Sequence, residues 1–227
     1  MKISRNNCIA LIDSGIGGLA LLKALRTKYI NENYIYYADN INMPYGNKTK
    51  SFIKNRIQEI CNYLIDNYDI KLIILACNTA SITCYNLPKI FKVPIITLDL
   101  NEFNCVNCKI LCTRLTSKCY PNLNTTPITL AKHIENDYFD KSKLTKKITK
   151  IMKENKCKNV VLGCTHYELV ANLFEKVNNE VNYIKPCEIL VEKINFPLNI
   201  SERRGSLIIM ASLPTKAYID KIWKILK

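Results

Sequence analysis

The sequence predicts an α/β protein of two pseudo-symmetric lobes, each a mainly parallel sheet flanked by helices, whose matching strand ends can face each other across a cleft. Three observations lead there. Short apolar runs of strand type alternate with helix-like segments along the whole chain. Two of those strands, in residues 72–79 and 160–166, end alike: aliphatic residues close on a small residue, then a cysteine, then hydroxyl or amide side chains. And with 227 residues, 48% of them hydrophobic, the chain is long enough to fill two small cores.

In the first half, a strand over 8–12 precedes a helix over 19–28, a strand over 34–37 precedes a helix over 51–67, and a strand over 71–75 precedes a helical stretch running to residue 91. The second half repeats the rhythm with a strand over 109–111, a helix over 142–155, a strand over 159–162 and a helix over 168–177. Such alternation implies parallel strands, because a chain that returns in the same direction needs a crossover. The lobe boundary is expected near 94–99, and the chain returns to the first lobe near Gly205. One lobe then comprises 1–97 plus 205–227, and the other 98–204.

Composition removes several classes. The longest apolar stretches, 72–77 and 159–162, are far shorter than the roughly 20 residues of a membrane-spanning helix, so no membrane role is expected. The first apolar run stops at Asp13 after five residues, too short for a secretory signal. A cytoplasmic location follows as the expectation. Eleven cysteines, odd in number and irregular in spacing, fit reduced thiols better than a disulfide scaffold. Cys105-Val-Asn-Cys108, with Cys112 and Cys119 downstream, comes nearest to a metal signature, but no second CxxC follows and no metal is assigned. A formal charge of +14 raises nucleic acid as a partner. The densest basic cluster, Lys143, Lys146, Lys147, Lys150 and Lys153, recurs at helical spacing opposite Leu144, Ile148, Ile151 and Met152, which describes a solvated helix face. Nucleic acid is therefore not expected, and a small-molecule substrate is.

The strand ends carry the chemistry. In open α/β sheets ligands bind beyond the carboxyl ends of the strands, where helix N-termini also point. Cys77 and Cys164 both stand at such junctions, where unpaired N–H groups favour a thiolate. Asn78, Thr79 and Thr165 beside them supply hydrogen bonds for a carboxylate or an ammonium group. Asp13 opens Asp13-Ser-Gly-Ile-Gly-Gly18 just past the first strand, where it can form a structural salt bridge or orient a base, and the glycines allow close backbone approach to an anion. Pro44-Tyr-Gly46 reads as a turn after Tyr37-Ala-Asp39, and Thr113-Arg-Leu-Thr116 adds another hydroxyl-rich strand end. Of the two histidines, His133 reads as structural, whereas His166 adjoins Cys164 and can tune or relay its proton.

Taken in order, Asp13-Ser-Gly-Ile-Gly-Gly18, Tyr37-Ala-Asp39 leading to Pro44-Tyr-Gly46, Ala76-Cys-Asn-Thr-Ala80 and Gly163-Cys-Thr-His-Tyr167 resemble the motifs of glutamate racemases over nearly the whole chain. The resemblance implies two pseudo-symmetric α/β lobes with the active site in the cleft between them and a reaction that needs no cofactor. It implies Cys77 acting on the D-enantiomer and Cys164 on the L-enantiomer, assisted by Asp13 and His166 respectively. Ser14, Tyr45, Gly46, Asn78, Thr79, Thr116 and Thr165 would bind the substrate, in a homodimer that supplies D-glutamate for peptidoglycan. The chain departs from the family's pattern in a shortened segment after Leu98, in Glu168 where proline commonly follows, and in Lys185-Pro186; an acidic position of the second lobe maps to Glu135. Two other readings fit the residues: a racemase of aspartate or a related acidic amino acid, and a catalytically weak regulatory or binding protein.

Overall fold

The computed structural model describes residues 7–103, 107–194, 196–197, 199 and 203–227. In chain order the first part comprises β1 (Cys8–Asp13), α1 (Leu19–Lys28), β2 (Asn33–Ala38), α2 (Lys50–Asn67), β3 (Ile70–Leu75), α3 (Asn78–Thr83) and β4 (Ile95–Thr97). The middle comprises β5 (Cys108–Cys112), α4 (Arg114–Cys119), β6 (Thr125–Pro127), α5 (Ala131–Asp137), α6 (Lys141–Glu154), β7 (Asn159–Gly163), α7 (Thr165–Glu168), α8 (Ala171–Val177), β8 (Asn182–Ile184) and α9 (Pro186–Lys193). The chain ends on β9 (Leu207–Ala211) and α10 (Lys216–Leu226).

The strands form two sheets, ordered β4-β3-β1-β2-β9 and β6-β5-β7-β8, and every neighbouring pair runs parallel. β1 lies at the centre of the first sheet and is buried at all its positions, which explains its unbroken Cys-Ile-Ala-Leu-Ile run in place of an alternating pattern. Register decides what leaves the sheet together. Ile12 pairs with Leu75 and Asp13 with Ala38, so Ser14, Asp39 and Cys77 all emerge just past one edge. In the second sheet Cys112 pairs with Gly163, so Thr113 and Cys164 emerge together.

Helices cover both faces of the first sheet because their apolar residues recur every three or four positions. α1 sets Leu22 and Leu25 against Leu11 and Tyr34, and α2 sets Ile53, Ile57, Ile60 and Leu64 against Ile35 and Ile73 on the opposite face. In the second lobe α6 buries Leu144, Ile148 and Met152, and its lysines face outward as expected. Caps fix where the helices begin. Thr49 accepts the Phe52 N–H at 3.2 Å and Asp140 the Lys143 N–H at 2.9 Å, each a contact of about 1 kcal/mol.

Two helices differ from expectation. The stretch expected to run to residue 91 ends at Thr83, whose hydroxyl bonds back to the Ala80 carbonyl, and Pro88, which has no N–H to give, follows in a separate 3₁₀ turn. The helix expected over 168–177 is broken at Leu169–Val170 into α7 and α8, so His166 and Glu168 share a short turn of their own. The cysteines also depart from the expectation of reduced thiols throughout: Cys108 is disulfide-bonded, while Cys61, Cys77, Cys84, Cys112, Cys119, Cys157, Cys164 and Cys187 are free thiols. Cys105 lies outside the described residues. Among the described residues no helix is long and apolar enough to cross a membrane, and no group of His, Cys, Asp and Glu side chains is placed to hold a metal ion.

Candidate active site

The carboxyl edges of the two sheets face each other and touch. Thr165 Oγ1 donates to Asp13 Oδ2 at 3.0 Å, the Ile16 N–H donates to Glu135 Oε2 at 2.9 Å, and the hydroxyls of Thr79, Thr113 and Thr116 form a triangle with sides of 3.0 Å. Apart from the Thr113–Thr116 side of that triangle, each contact joins the first lobe to the second. The loop after β1 makes the closest approach. A Cβ on Gly15 would stand 2.3 Å from Glu135 Oε2, and one on Gly17 would stand 2.4 Å from His166 Nδ1 and 2.7 Å from its backbone nitrogen. The sequence reads these glycines as allowing close backbone approach to an anion; in the structure they pack against Glu135 and His166 of the opposite lobe.

Cys77 occupies the N-cap of α3, buried, with its Sγ 3.9 Å from Ser14 Oγ. The sequence expects a thiolate there, and the structure corrects this. Burial, then the charge of Asp13, push the Cys77 thiol well above its ordinary value, and the charge of Cys164 adds to the shift against the opposing Ala80 N–H and Ser14 hydroxyl. Cys77 therefore rests as a neutral thiol. Among the described residues Asp13 has no salt bridge to a lysine, arginine or histidine. Its Oδ1 accepts the Gly15 N–H at 2.8 Å and its Oδ2 the Thr165 hydroxyl, while burial raises its carboxyl against the opposing influence of His166.

Cys164 occupies the N-cap of α7, and His166 follows on the same turn. His166 Nε2 lies 2.7 Å from Glu135 Oε2. Burial opposes a charge on this imidazole, but hydrogen bonding to Cys164 and Glu135, and their negative charges, hold its pKa well above the ordinary histidine value. Glu135 is the counterpart: burial raises its carboxyl, but His166, the Ile16 N–H and Lys221 outweigh that and keep it ionised. A buried cation thus stands beside Cys164, whereas a carboxyl stands beside Cys77.

The remaining residues line the same space. Asn78 is buried, and neither its Oδ1 nor its Nδ2 has a hydrogen-bond partner, which leaves a donor and an acceptor for an incoming ligand. Ser14, Thr79, Thr116 and Thr165 are likewise buried at the seam. Tyr45 starts the expected turn, Tyr45–Asn47, and is buried there: its hydroxyl donates to Asp39 Oδ2 at 2.7 Å, while the Arg56 guanidinium grips both Asp39 oxygens. This anchors the 44–46 loop, whose Gly46 packs on Thr113. Sequence reasoning left Asp39 and Glu135 without roles and missed Arg56, Thr113 as a seam hydroxyl and Tyr218, whose hydroxyl donates to Glu135 Oε1 at 2.9 Å. The local signal for Glu135 was its place beside Ile134 on the buried face of α5.

Glu168, one of the unusual residues, is buried behind this site. Its Oε2 accepts the Cys187 N–H at 2.9 Å, its Oε1 has no hydrogen-bond partner, and burial pushes the carboxyl up to about 8. An unfolded chain ionises this group near 4.5, while the folded chain keeps the proton to about 8. Stability from this group is therefore full below about 4.5 and is lost as the pH rises through 8. Glu168→Gln, which mimics the protonated form, is expected to stay stable across that window and to exceed the parent by a few kcal/mol, on the order set by a shift of this size, at pH 8.5. Urea unfolding from pH 5 to 8.5 checks this; the same decline in both proteins would contradict it.

No family model matches the chain. A glutamate racemase from Fusobacterium nucleatum is 33% identical to it, covering 88% of this chain and 86% of that protein. Its fold is similar to that of the glutamate racemase of Thermus thermophilus crystallised with β-chloro-D-alanine, with a TM-score of 0.82 at 23% identity over 98% of this chain and 94% of that one. It is similar also to the glutamate racemase of Francisella tularensis in complex with D-glutamate, with a TM-score of 0.78 at 24% identity over the same shares.

Proposed function

The chain belongs to the glutamate racemase family, and from that premise we propose that it interconverts L- and D-glutamate by proton transfer at the α-carbon between Cys77 and Cys164. The observation that carries this reading is the pair of thiols at matching strand ends on facing lobes, close enough for the charge of Cys164 to reach Cys77. Inversion needs a base on one face and an acid on the other, and two thiols can exchange those roles with direction.

Cys164 takes the proton from L-glutamate while the Cys77 thiol reprotonates the opposite face; the D-enantiomer runs the sequence in reverse. The burial that keeps Cys77 protonated also makes its thiolate, once formed, a stronger base, which narrows the gap to a weakly acidic α-C–H. His166 with Glu135 serves the Cys164 side and Asp13 the Cys77 side. Asn78 offers Nδ2 to a carboxylate and Oδ1 to the ammonium group, and Ser14, Thr79, Thr116, Thr165 and the Tyr45-Gly46 segment complete the substrate's hydrogen bonds. The division into 1–97 plus 205–227 and 98–204 is part of this reading, supported by the pairing of β9 with β2 in the first sheet. So are a cytoplasmic location, supply of D-glutamate for peptidoglycan, and a homodimer, for which the exposed Ile41 and Leu213, tied together through Asn40 and Ser212, offer an apolar surface.

Incubation with L-glutamate and no added cofactor, followed by chiral separation, tests the reading. An approach to equal amounts of both enantiomers, with L-aspartate turned over far more slowly, is the expected result. Failure to form D-glutamate, or a requirement for added pyridoxal phosphate or metal, would contradict it.

A further inference from the structure

A carboxylate offers about four acceptor positions, and Glu135 has donors at three of them. Oε2 meets His166 Nε2 at 2.7 Å and the Ile16 N–H at 2.9 Å, and Oε1 meets the Tyr218 hydroxyl at 2.9 Å. The Lys221 ammonium donates to the Glu135 backbone carbonyl. Only His166 belongs to the same lobe as Glu135. Ile16 follows β1, and Tyr218 and Lys221 lie on α10, which packs Ile222 and Ile225 into the core of the first lobe. Tyr218 is fixed in the first turn of that helix, where its N–H reaches the Thr215 cap at 3.3 Å. Burial and the charge of Glu135 push its hydroxyl well above the ordinary tyrosine value, so it remains a donor at any working pH.

The counter-ion that charges His166 is thus completed from across the cleft. We propose that Tyr218 is a positioning residue for the Cys164 half of the reaction: through Glu135 it holds His166 against Cys164 while the lobes are closed. The inference rests on the two-thiol reading above. It goes further in making closure and the arming of Cys164 a single event, because a cleft that opens withdraws the Tyr218, Ile16 and Lys221 donors from Glu135 together. Cys77 has no such tie to α10: its described partners, Ser14 and the Ala80 N–H, belong to its own lobe. Tyr218 should therefore serve one thiol and not the other.

The test is the primary isotope effect from each enantiomer in ordinary water. Proton removal from α-deuterated L-glutamate reports on Cys164, and removal from α-deuterated D-glutamate reports on Cys77. In Tyr218→Phe, kcat is expected to fall about tenfold, as for loss of one hydrogen bond to a charged group. The isotope effect from L-glutamate should rise and that from D-glutamate should fall, because the step at Cys164 has become the slower of the two. Lys221→Met should move both effects the same way by less. Tyr36→Phe, which removes a buried hydroxyl of the same seam bonded to the Gly15 carbonyl at 2.7 Å, should leave their ratio unchanged. Isotope effects that stay constant or shift together in Tyr218→Phe, or a ratio altered equally by Tyr36→Phe, would overturn the proposal. Early D-glutamate that keeps the substrate's own α-proton when the parent protein turns over L-glutamate in heavy water would overturn the two-thiol reading itself, and this inference with it.

Discussion

Replacing either Cys77 or Cys164 by serine is expected to reduce racemisation by roughly a thousandfold or more, a loss of about 4 kcal/mol of transition-state stabilisation. A serine hydroxyl keeps the size and a hydrogen bond but is a far poorer base than a thiolate, and inversion stops when one face of the α-carbon loses its acid/base group. Both losses should be of similar size, because every turnover uses both residues. Substrate binding should largely survive, since Asn78 and the threonine hydroxyls, which are proposed to hold the substrate, remain in place. Chiral separation of timed reactions gives the rates, and calorimetry gives binding. A serine variant within tenfold of the parent would contradict the assignment.

Gly17→Ala is expected to cost about a hundredfold in kcat/KM although it adds a single methyl group to a residue that performs no chemistry. The new carbon would stand 2.4 Å from His166 Nδ1, 2.6 Å from Thr165 Oγ1 and 2.7 Å from the His166 backbone nitrogen. A flexible side chain can swing aside, but a backbone atom at the start of α7 cannot. The lobes would have to part by about an ångström, and a displacement of that size at a reacting centre is worth about two powers of ten. Parting would also stretch the Ile16–Glu135 and Thr165–Asp13 hydrogen bonds, now 2.9 and 3.0 Å. Both lobes have their own cores, so the far-ultraviolet spectrum should change little. Activity near that of the parent would show that the seam is looser than these distances imply.

What was legible in the sequence was whatever is local. Alternating strand and helix patterns announced the parallel sheets, because a buried parallel strand needs an unbroken apolar run such as Ile9 to Ile12, and its covering helix needs a stripe such as Ile53, Ile57, Ile60 and Leu64. The cysteine junctions were legible for the same reason: strand end, thiol and hydroxyl are adjacent in the chain. Contacts between distant segments were not. Glu135 and His166 are 31 positions apart, and Tyr218 is 83 from Glu135, so no spacing or periodicity could join them. The resting state of Cys77 was misread from its helix position because desolvation, which depends on how the whole surroundings pack, outweighs the few N–H groups of a six-residue helix. The turn at Tyr45 was legible but its burial was not, because that depends on Asp39 and Arg56, the second of them 11 residues further on.

The central claim, that two thiols on opposite lobes share one α-carbon, is tested most directly by running the reaction in heavy water and following deuterium by mass spectrometry and chiral separation. With two bases, the proton given to the product comes from a thiol that exchanges with solvent, while the proton taken from the substrate is held by the other. Early D-glutamate formed from L-glutamate should therefore carry deuterium at the α-carbon while the remaining L-glutamate stays largely protiated, and the pattern should reverse from the D-enantiomer. Early product that keeps the substrate's own proton would mean that one group serves both faces, and would contradict the roles assigned to Cys77 and Cys164.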